Sequence, residues 1–355
     1  MDSFSIADFE LGINSKPYFI AEIGSNFDGS LSRAKDLIHL AKESGAQAAK
    51  FQHYTAGTLV SNLGFKALGS QLSHQKKWAG SVFDVYKAAS LNSEWTAELC
   101  NECKKIGIHF ITSPYSHELV DLVDRYVPAF KIGSGDITWT EIIRAISKKN
   151  KPVLLATGAS SLEDVTRAIK TIQMYNNKIV LMQCNTNYTE DRANLNFQNL
   201  QVLNLYKLLF PHVVLGLSDH TQGDTAVLGA YALGARVFEK HFTDDISRSG
   251  PDHHFAMTPQ GFRKMVSKTL DLELMMGSPN KIIEPNEVET SIVQRRAIYA
   301  AREINVGESL VESDFIFLRP SPAGTIPPYL AESLIGRRVK TAIPEGHAVK
   351  WEDIS

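Results

Sequence analysis

Cysteine is scarce, with three in 355 residues. That is too few for a disulfide framework in a chain of this length. Cys100 and Cys103 form a C-x-x-C, but it lies inside AELCNECKK, a helix-like stretch, and no second pair completes a zinc site. An excess of either charge is also lacking. Lys and Arg total 37 against 39 Asp and Glu, a formal net charge of −2, so there is no basic field to attract nucleic acid. No apolar run is long and unbroken enough to span a bilayer. The N-terminal MDSFSIADFELG has neither the positive region nor the apolar core of a signal peptide. A G-x-G-x-x-G after the first strand-like segment is missing as well, which argues against a dinucleotide-binding sheet. These absences point to a soluble, cytoplasmic protein with no nucleic-acid or membrane partner.

What is present is rhythm. Short apolar segments that end on small or polar residues recur eight times, at 18–26, 48–55, 109–115, 129–136, 152–160, 179–187, 213–220 and 236–243. Runs that are apolar on both faces suit parallel strands buried on both sides. Helix-period stretches separate them. SLSRAKDLIHLAKESG puts Ala34, Leu37, Ile38 and Ala41 on one face, with Gly45 as a C-terminal stop. SSLEDVTRAIKTIQM opens with a Ser-x-x-Glu-like cap. Strand then helix, eight times, predicts a (β/α)8 TIM barrel over residues 1–276. The segment from Tyr54 to about Val82 is long and polar, as expected of a loop that covers the barrel mouth.

After Met276 the pattern changes. Residues 277–293 are polar with two prolines and read as a linker, and 294–355 as a small β-rich domain. INVGESLVESDF and IPEGHAVKWEDI form a quasi-repeat: Ile304, Gly307, Leu310 and Asp314 recur as Ile343, Gly346, Val349 and Asp353 at a constant offset. The unit predicted is strand, glycine turn, strand and an Asp-capped helical turn.

In such barrels the active site lies at the C-terminal ends of the strands. Those ends carry Glu22 and Asn26, Lys50 and Gln52, Thr112 and Ser113, then Lys131, Ser134 and Asp136. Thr157, Asn185, Asn187 and Tyr188 follow, then Ser218, Asp219 and His220, and finally Glu239 and His241. Burying so many polar groups at one end costs free energy unless a polar ligand meets them. Lys50 and Lys131 suit an anionic ligand. His220 and His241 end neighbouring strands, close enough to share a divalent ion with open positions left for substrate. Either lysine could instead form a Schiff base, although the serines and glycines of KIGSGD favour an anion nest.

FIAEIGSNFDG, AAKFQ, FKIGSGD, LGLSDHT, EKHFT and SGPDHHFAM resemble the sialic acid synthase family, and RRAIYAAREINVGE with FLRPSPAG resembles its C-terminal antifreeze-like (SAF, β-clip) domain. The resemblance runs through nearly the whole chain. It implies that carbon 3 of phosphoenolpyruvate attacks the open-chain aldehyde of an N-acylmannosamine-type sugar, water adds at carbon 2, and phosphate leaves. The expected product is N-acetylneuraminate, with legionaminate, pseudaminate or another nonulosonate as alternatives. A 9-phosphate product, a Schiff-base aldolase and an inactive sugar-binding protein are more remote ones. By motif matching, Mn²⁺ or Mg²⁺ would sit on His220 and His241. Lys50, Ser113, Lys131, Ser134 and Ser218 would hold phosphoenolpyruvate, and Glu22, Gln52, Asp136, Asn187, Tyr188 and Asp252 would face or position the sugar. Arg319 would enter the site of a partner subunit in a domain-swapped homodimer. The sequence departs from the family pattern at Phe27, where a His is usual, at Ala156, where a Ser is common, and in NTNYT around Tyr188.

Overall fold

The computed structural model describes residues 3–72, 75–76, 78, 80–188 and 191–355. The chain divides into two units, Met1–Gly277 and Ser278–Ser355.

The first unit opens with a hairpin, β1 (Phe4–Ile6) and β2 (Phe9–Leu11). Parallel strands follow: β3 (Tyr18–Gly24), β4 (Ala48–His53), β5 (His109–Pro114), β6 (Phe130–Ile132), β7 (Val153–Ala156), β8 (Ile179–Cys184), β9 (Val214–Asp219) and β10 (Val237–His241). They close a barrel in which β10 pairs with β3. The expected TIM barrel is therefore present, with strands shorter at their C-terminal ends than the sequence pattern predicts. In β6 the cause is visible: Gly133 leads into a 3-10 turn at Ser134–Asp136.

The connections are helical. α1 (Leu31–Glu43) buries Ala34, Leu37, Ile38 and Ala41, and the chain leaves it through Gly45 at φ 92°. The Tyr54–Val82 segment is partly folded, with α2 (Ala56–Leu59) and α3 (Asn62–Ala67), and α4 (Val82–Ala89) follows it. α5 (Thr96–Ile106) buries Cys100 and Cys103. α6 (His117–Asp124), α7 (Thr140–Ser147), α8 (Leu162–Gln173), α9 (Val202–Leu209), α10 (Thr225–Ala232) and α11 (Pro259–Met276) complete the ring. The cap of α8 is one residue later than expected: Ser161 Oγ accepts from the Asp164 N–H, and Asp164 accepts from the Ser161 N–H. No helix among the described residues is long and apolar enough to cross a membrane.

Alternation along the strands sets the barrel's contents. The lower layer is apolar: Tyr18, Ile20, Ala48, Ile111, Leu154, Val180, Val214 and Val237 pack with Ile6 and Leu11 of the hairpin. One strand period further on, the same inward face turns polar with Glu22, Lys50, Ser113, Ser218 and Glu239. The hairpin thus closes the bottom, and the charged inward-facing groups lie at the top. Burying one aliphatic side chain of this kind contributes about 1.5–3 kcal/mol.

The second unit has its own core, including Ile298, Ile304, Leu310, Ile343, Val349 and Ile354. It contains α12 (Val288–Val293) and an antiparallel pair, β11 (Ala297–Ala300) with β12 (Phe315–Leu318). The quasi-repeat is visible in its backbone. Gly307 and Gly346 both have positive φ, 88° and 75°. Asp314 and Asp353 each accept the backbone N–H three residues earlier, from Val311 and Lys350. Ile304 bridges its own counterpart Ile343, so the two copies pair with each other, although the flanking strands are reduced to single bridges.

Candidate active site

One cavity of about 340 Å³ opens at the C-terminal ends of the strands, within the size range of small-ligand sites. It gathers Glu22, Lys50, Gln52, Ser113, Lys131 and Ser134 with Asp136, Tyr188, Ser218, His220, His241 and Asp252. Two of the residues expected from the sequence are not among them. Asn187 is exposed, because Asn185 Oδ1 takes its N–H and turns the loop after β8 outward. Arg319 lies in the second unit, just after β12, and donates to Gln294.

The floor is a chain of charges. Glu22 accepts from Lys50 Nζ at 2.6 Å and from Gln52 Nε2 at 2.6 Å. Glu239 Oε1 lies 3.3 Å from Lys131 Nζ, 3.7 Å from Lys50 Nζ and 3.2 Å from Ser218 Oγ. Burial alone would raise the Glu239 carboxyl, but the ammoniums of Lys131 and Lys50 reverse this and hold it well below its ordinary value. Burial would likewise lower Lys50, and Glu22 and Glu239 together keep it raised and charged. A Schiff-base amine needs the opposite shift. Asp136, on the turn after β6, has no such neighbour and is pushed up to about 6 by burial.

The imidazoles face each other with ring centroids 5.3 Å apart. His220 Nδ1 lies 2.9 Å from the Asn185 carbonyl. A carbonyl only accepts, so the proton resides on Nδ1 and the Nε2 lone pair is left for a ligand. Burial, with the His241 ring next to it, lowers His220 to about 3, so it is neutral at physiological pH. Phe255 packs on both rings, at 6.0 and 4.8 Å.

Among the described residues, Ser113 Oγ, Glu239 Oε2 and His241 Nδ1 are buried without a hydrogen-bond partner. The nearest carboxylate oxygen to His241 Nδ1 is Asp252 Oδ2, 3.7 Å away. Orphaned acceptors and donors aimed into a polar cavity call for a ligand. The free His220 Nε2, with the His241 ring and its unpartnered Nδ1 beside it, fits a divalent ion that keeps open positions. No group of three or more His, Cys, Asp or Glu among the described residues forms a closed metal cage.

Asp252 is held from behind. Ser25 Oγ donates to it at 2.9 Å. Asp28 anchors its loop through Arg248 at 2.8 Å and His253 at 2.9 Å, and His253 is also 2.7 Å from Thr243 Oγ1. Tyr54, Tyr86 and Trp78 form an aromatic side of the cavity, with Tyr54–Tyr86 and Trp78–Tyr86 centroids both 5.6 Å apart. Tyr54 and Trp78 belong to the segment expected to cover the mouth, whereas the sequence pattern does not point to Tyr86, Cys184 or Tyr115. The last two sit at strand ends like the others, but Cys184 closes the apolar run IVLMQC and Tyr115 follows Pro114, so neither stands out from the core pattern. Tyr86 arrives on α4, for which no sequence signal pointed to the mouth. Thr112, Thr157 and Asp219, although at strand ends, bond outward, to His53, Met182 and Lys240 respectively. Of the family departures, Phe27 is a core residue against Phe51 and Trp95, whereas Ala156 lines the cavity.

This closed barrel, with two imidazoles and two ammoniums at its strand ends, has the framework of a TIM-barrel enzyme. Residues 37–281 match the NeuB family and 295–355 match the SAF domain. The chain belongs to the NeuB family, and its relatives include legionaminic acid, pseudaminic acid and neuraminate-9-phosphate synthases. It is 33% identical over 346 residues to N,N'-diacetyllegionaminic acid synthase of Legionella pneumophila, covering 95% of this chain and 94% of that one. It is 29% identical over 342 residues to pseudaminic acid synthase of Helicobacter pylori, covering 95% and 98%. The crystal structure of the spore coat polysaccharide biosynthesis protein SpsE from Bacillus subtilis superposes with a TM-score of 0.66 at 29% identity, covering 100% of this chain and 99% of that one.

Proposed function

We propose that this nonulosonate synthase condenses phosphoenolpyruvate with the aldehyde of an N-acylmannosamine-type sugar, releasing phosphate. The observation that carries the reading is the cavity floor, where Lys50, Lys131, His220 and His241 converge beside the unpartnered Ser113 Oγ and Glu239 Oε2. An ammonium has three donors, so one contact each to Glu22 or Glu239 leaves capacity for a phosphate and a carboxylate. Ser218, already tied to Glu239, and Ser134, which accepts from the Gly158 N–H at 2.9 Å, are hydroxyls rigid enough to orient that anion. Mn²⁺ or Mg²⁺, held by His220 and His241, would supply Lewis acidity toward the aldehyde oxygen. The carbon–carbon bond forms from carbon 3 of phosphoenolpyruvate to the aldehyde carbon. The carbonyl electron pair moves to its oxygen, water adds at carbon 2, and that carbon's bond to the phosphate oxygen breaks. Glu22, fixed by Lys50 and Gln52, and Asp252, fixed by Ser25, are carboxylates positioned for sugar hydroxyls or the incoming water.

The distal end of the acceptor is uncharged in this reading. Among the described residues that line the cavity, Lys50 and Lys131 are the only Lys or Arg, and Asp136, Asp252 and the aromatic side make up much of the rest, a setting better suited to an acylamido group than to a sugar phosphate. The aromatic side and the 33%-identical relative favour N,N'-diacetyllegionaminate as product over N-acetylneuraminate. The same reading includes a homodimer in which Arg319 of one copy completes the site of the other, supported by the resemblance to SAF-bearing synthases. The test is to incubate the chain with phosphoenolpyruvate and Mn²⁺ and offer, in turn, N-acetylmannosamine, its 6-phosphate and 2,4-diacetamido-6-deoxymannose, scored by product mass. The diacetamido sugar is expected to give the highest kcat/KM and the 6-phosphate the lowest. Preference for the 6-phosphate would contradict the uncharged acceptor.

A further inference from the structure

Behind the two imidazoles, on the side of the strands that faces the helices, lies a buried ion pair that the cavity does not use. Alternation turns Ser218 and Glu239 into the barrel and Asp219 and Lys240 out of it. Asp219 of β9 and Lys240 of β10 are register partners. Their side chains are 0% and 2% exposed. Lys240 Nζ donates to Asp219 Oδ2 at 2.7 Å and to the Thr221 carbonyl at 2.5 Å. Asp219 Oδ1 accepts the Thr221 N–H at 2.8 Å, and Oδ2 is 3.1 Å from Thr221 Oγ1.

We propose that Lys240 and Asp219 are positioning residues that fix both imidazoles together and thereby set the site's affinity for a divalent cation. His220 is the one residue between Asp219 and Thr221, and Lys240 bonds to both of its neighbours. Lys240 is itself the residue before His241. One ion pair therefore ties the backbone on either side of the first imidazole to the strand that carries the second. The inference rests on the reading that the imidazoles hold a metal.

Stability alone does not account for the pair. Apolar residues of similar volume usually serve a buried site as well as an ion pair does. They would, however, leave the N–H and carbonyl of Thr221, a buried residue, without partners. The directional bonds to Thr221 are what the pair provides beyond packing. Groups that orient metal ligands in this way typically alter metal affinity 10- to 100-fold when changed.

The experiment measures Mn²⁺ affinity of the full chain by electron paramagnetic resonance of the unbound ion, together with the Tm of the metal-free protein. The variants are His220→Ala, His241→Ala, Lys240→Met, Lys240→Gln and the double Asp219→Leu/Lys240→Met. The histidine variants are expected to lose Mn²⁺ binding. Lys240→Met is expected to weaken it about 10- to 100-fold, although charge alone predicts the opposite, since the unpaired Asp219 would attract the cation. Lys240→Gln keeps a donor for Asp219, so its fold is the more robust, and it is expected to weaken binding less than Lys240→Met does. The double variant, which leaves no unpaired buried charge, is expected to have a higher Tm than Lys240→Met but no recovery of Mn²⁺ affinity. Affinity within about twofold of wild type in the double variant and in Lys240→Gln, with the histidine variants defective, would overturn the positioning role while leaving the metal reading intact. Wild-type affinity in the histidine variants would overturn both.

Discussion

Asp136 is the carboxyl whose surroundings most alter its chemistry at working pH. Burial raises it to about 6, so below that pH it is protonated and cannot accept a hydroxyl's hydrogen bond as a carboxylate. The kcat/KM for the acceptor is therefore expected to rise with pH through about 6, since this ratio reports ionisations of the free enzyme. Asp136→Asn should remove that limb and lower kcat/KM at pH 7.5 about 10- to 100-fold, the equivalent of one charged hydrogen bond. A pH profile that keeps its limb in the variant would contradict the assignment. Stability has its own sign. The folded chain holds the Asp136 proton more tightly than the unfolded one, so this group's contribution falls as pH climbs from about 4 to about 6. At this scale the charged floor was legible: Lys50, Lys131, His220 and His241 all lie where strand ends in a parallel barrel must lie. The direction of each side chain was less legible. Asp219 and Ser218 are adjacent in sequence yet serve opposite faces, because alternation along β9 turns one out of the barrel and the other in.

Among the elements, the N-terminal hairpin has a role that the sequence hides. Each strand is three residues long, and the turn between them includes Ala7 at φ 52°. Gly or Asn would have signalled that left-handed turn, and alanine gives no such signal. The strand-and-helix rhythm, by contrast, was readable because buried parallel strands and amphipathic helices have distinct periods. α1 buries the four residues its 3.6-residue pattern selects. The sequence pattern overruns the strand ends, because polar residues past the last ladder bond continue it while the backbone has already turned. Leu11→Ala would open a cavity under the barrel floor and cost about 2–5 kcal/mol, measured as a lower urea midpoint. The KM for phosphoenolpyruvate should not move, since an apolar layer separates the hairpin from the site. A changed KM with unchanged stability would show that the hairpin acts on the site rather than on the fold.

At the scale of the whole molecule, the chain supplies a floor in one unit and Arg319 in another. If two copies exchange their second units, mixing Arg319→Ala chains with His241→Ala chains creates dimers with one intact site and one doubly damaged site. At equal mixing and free exchange, about a quarter of all sites should regain activity. No recovery despite proven exchange would mean that Arg319 serves its own barrel or none. Whether the polar strand ends form a phosphoenolpyruvate-condensing site is decided by the fate of one oxygen atom. Phosphoenolpyruvate carrying oxygen-18 between carbon 2 and phosphorus is incubated with the full chain, Mn²⁺ and the preferred acceptor, and both products are weighed by mass spectrometry. All of the label is expected in inorganic phosphate, together with an acid longer than the acceptor by the three carbons of pyruvate. Label retained in the organic product, or no phosphate released with any acceptor, would contradict such a site.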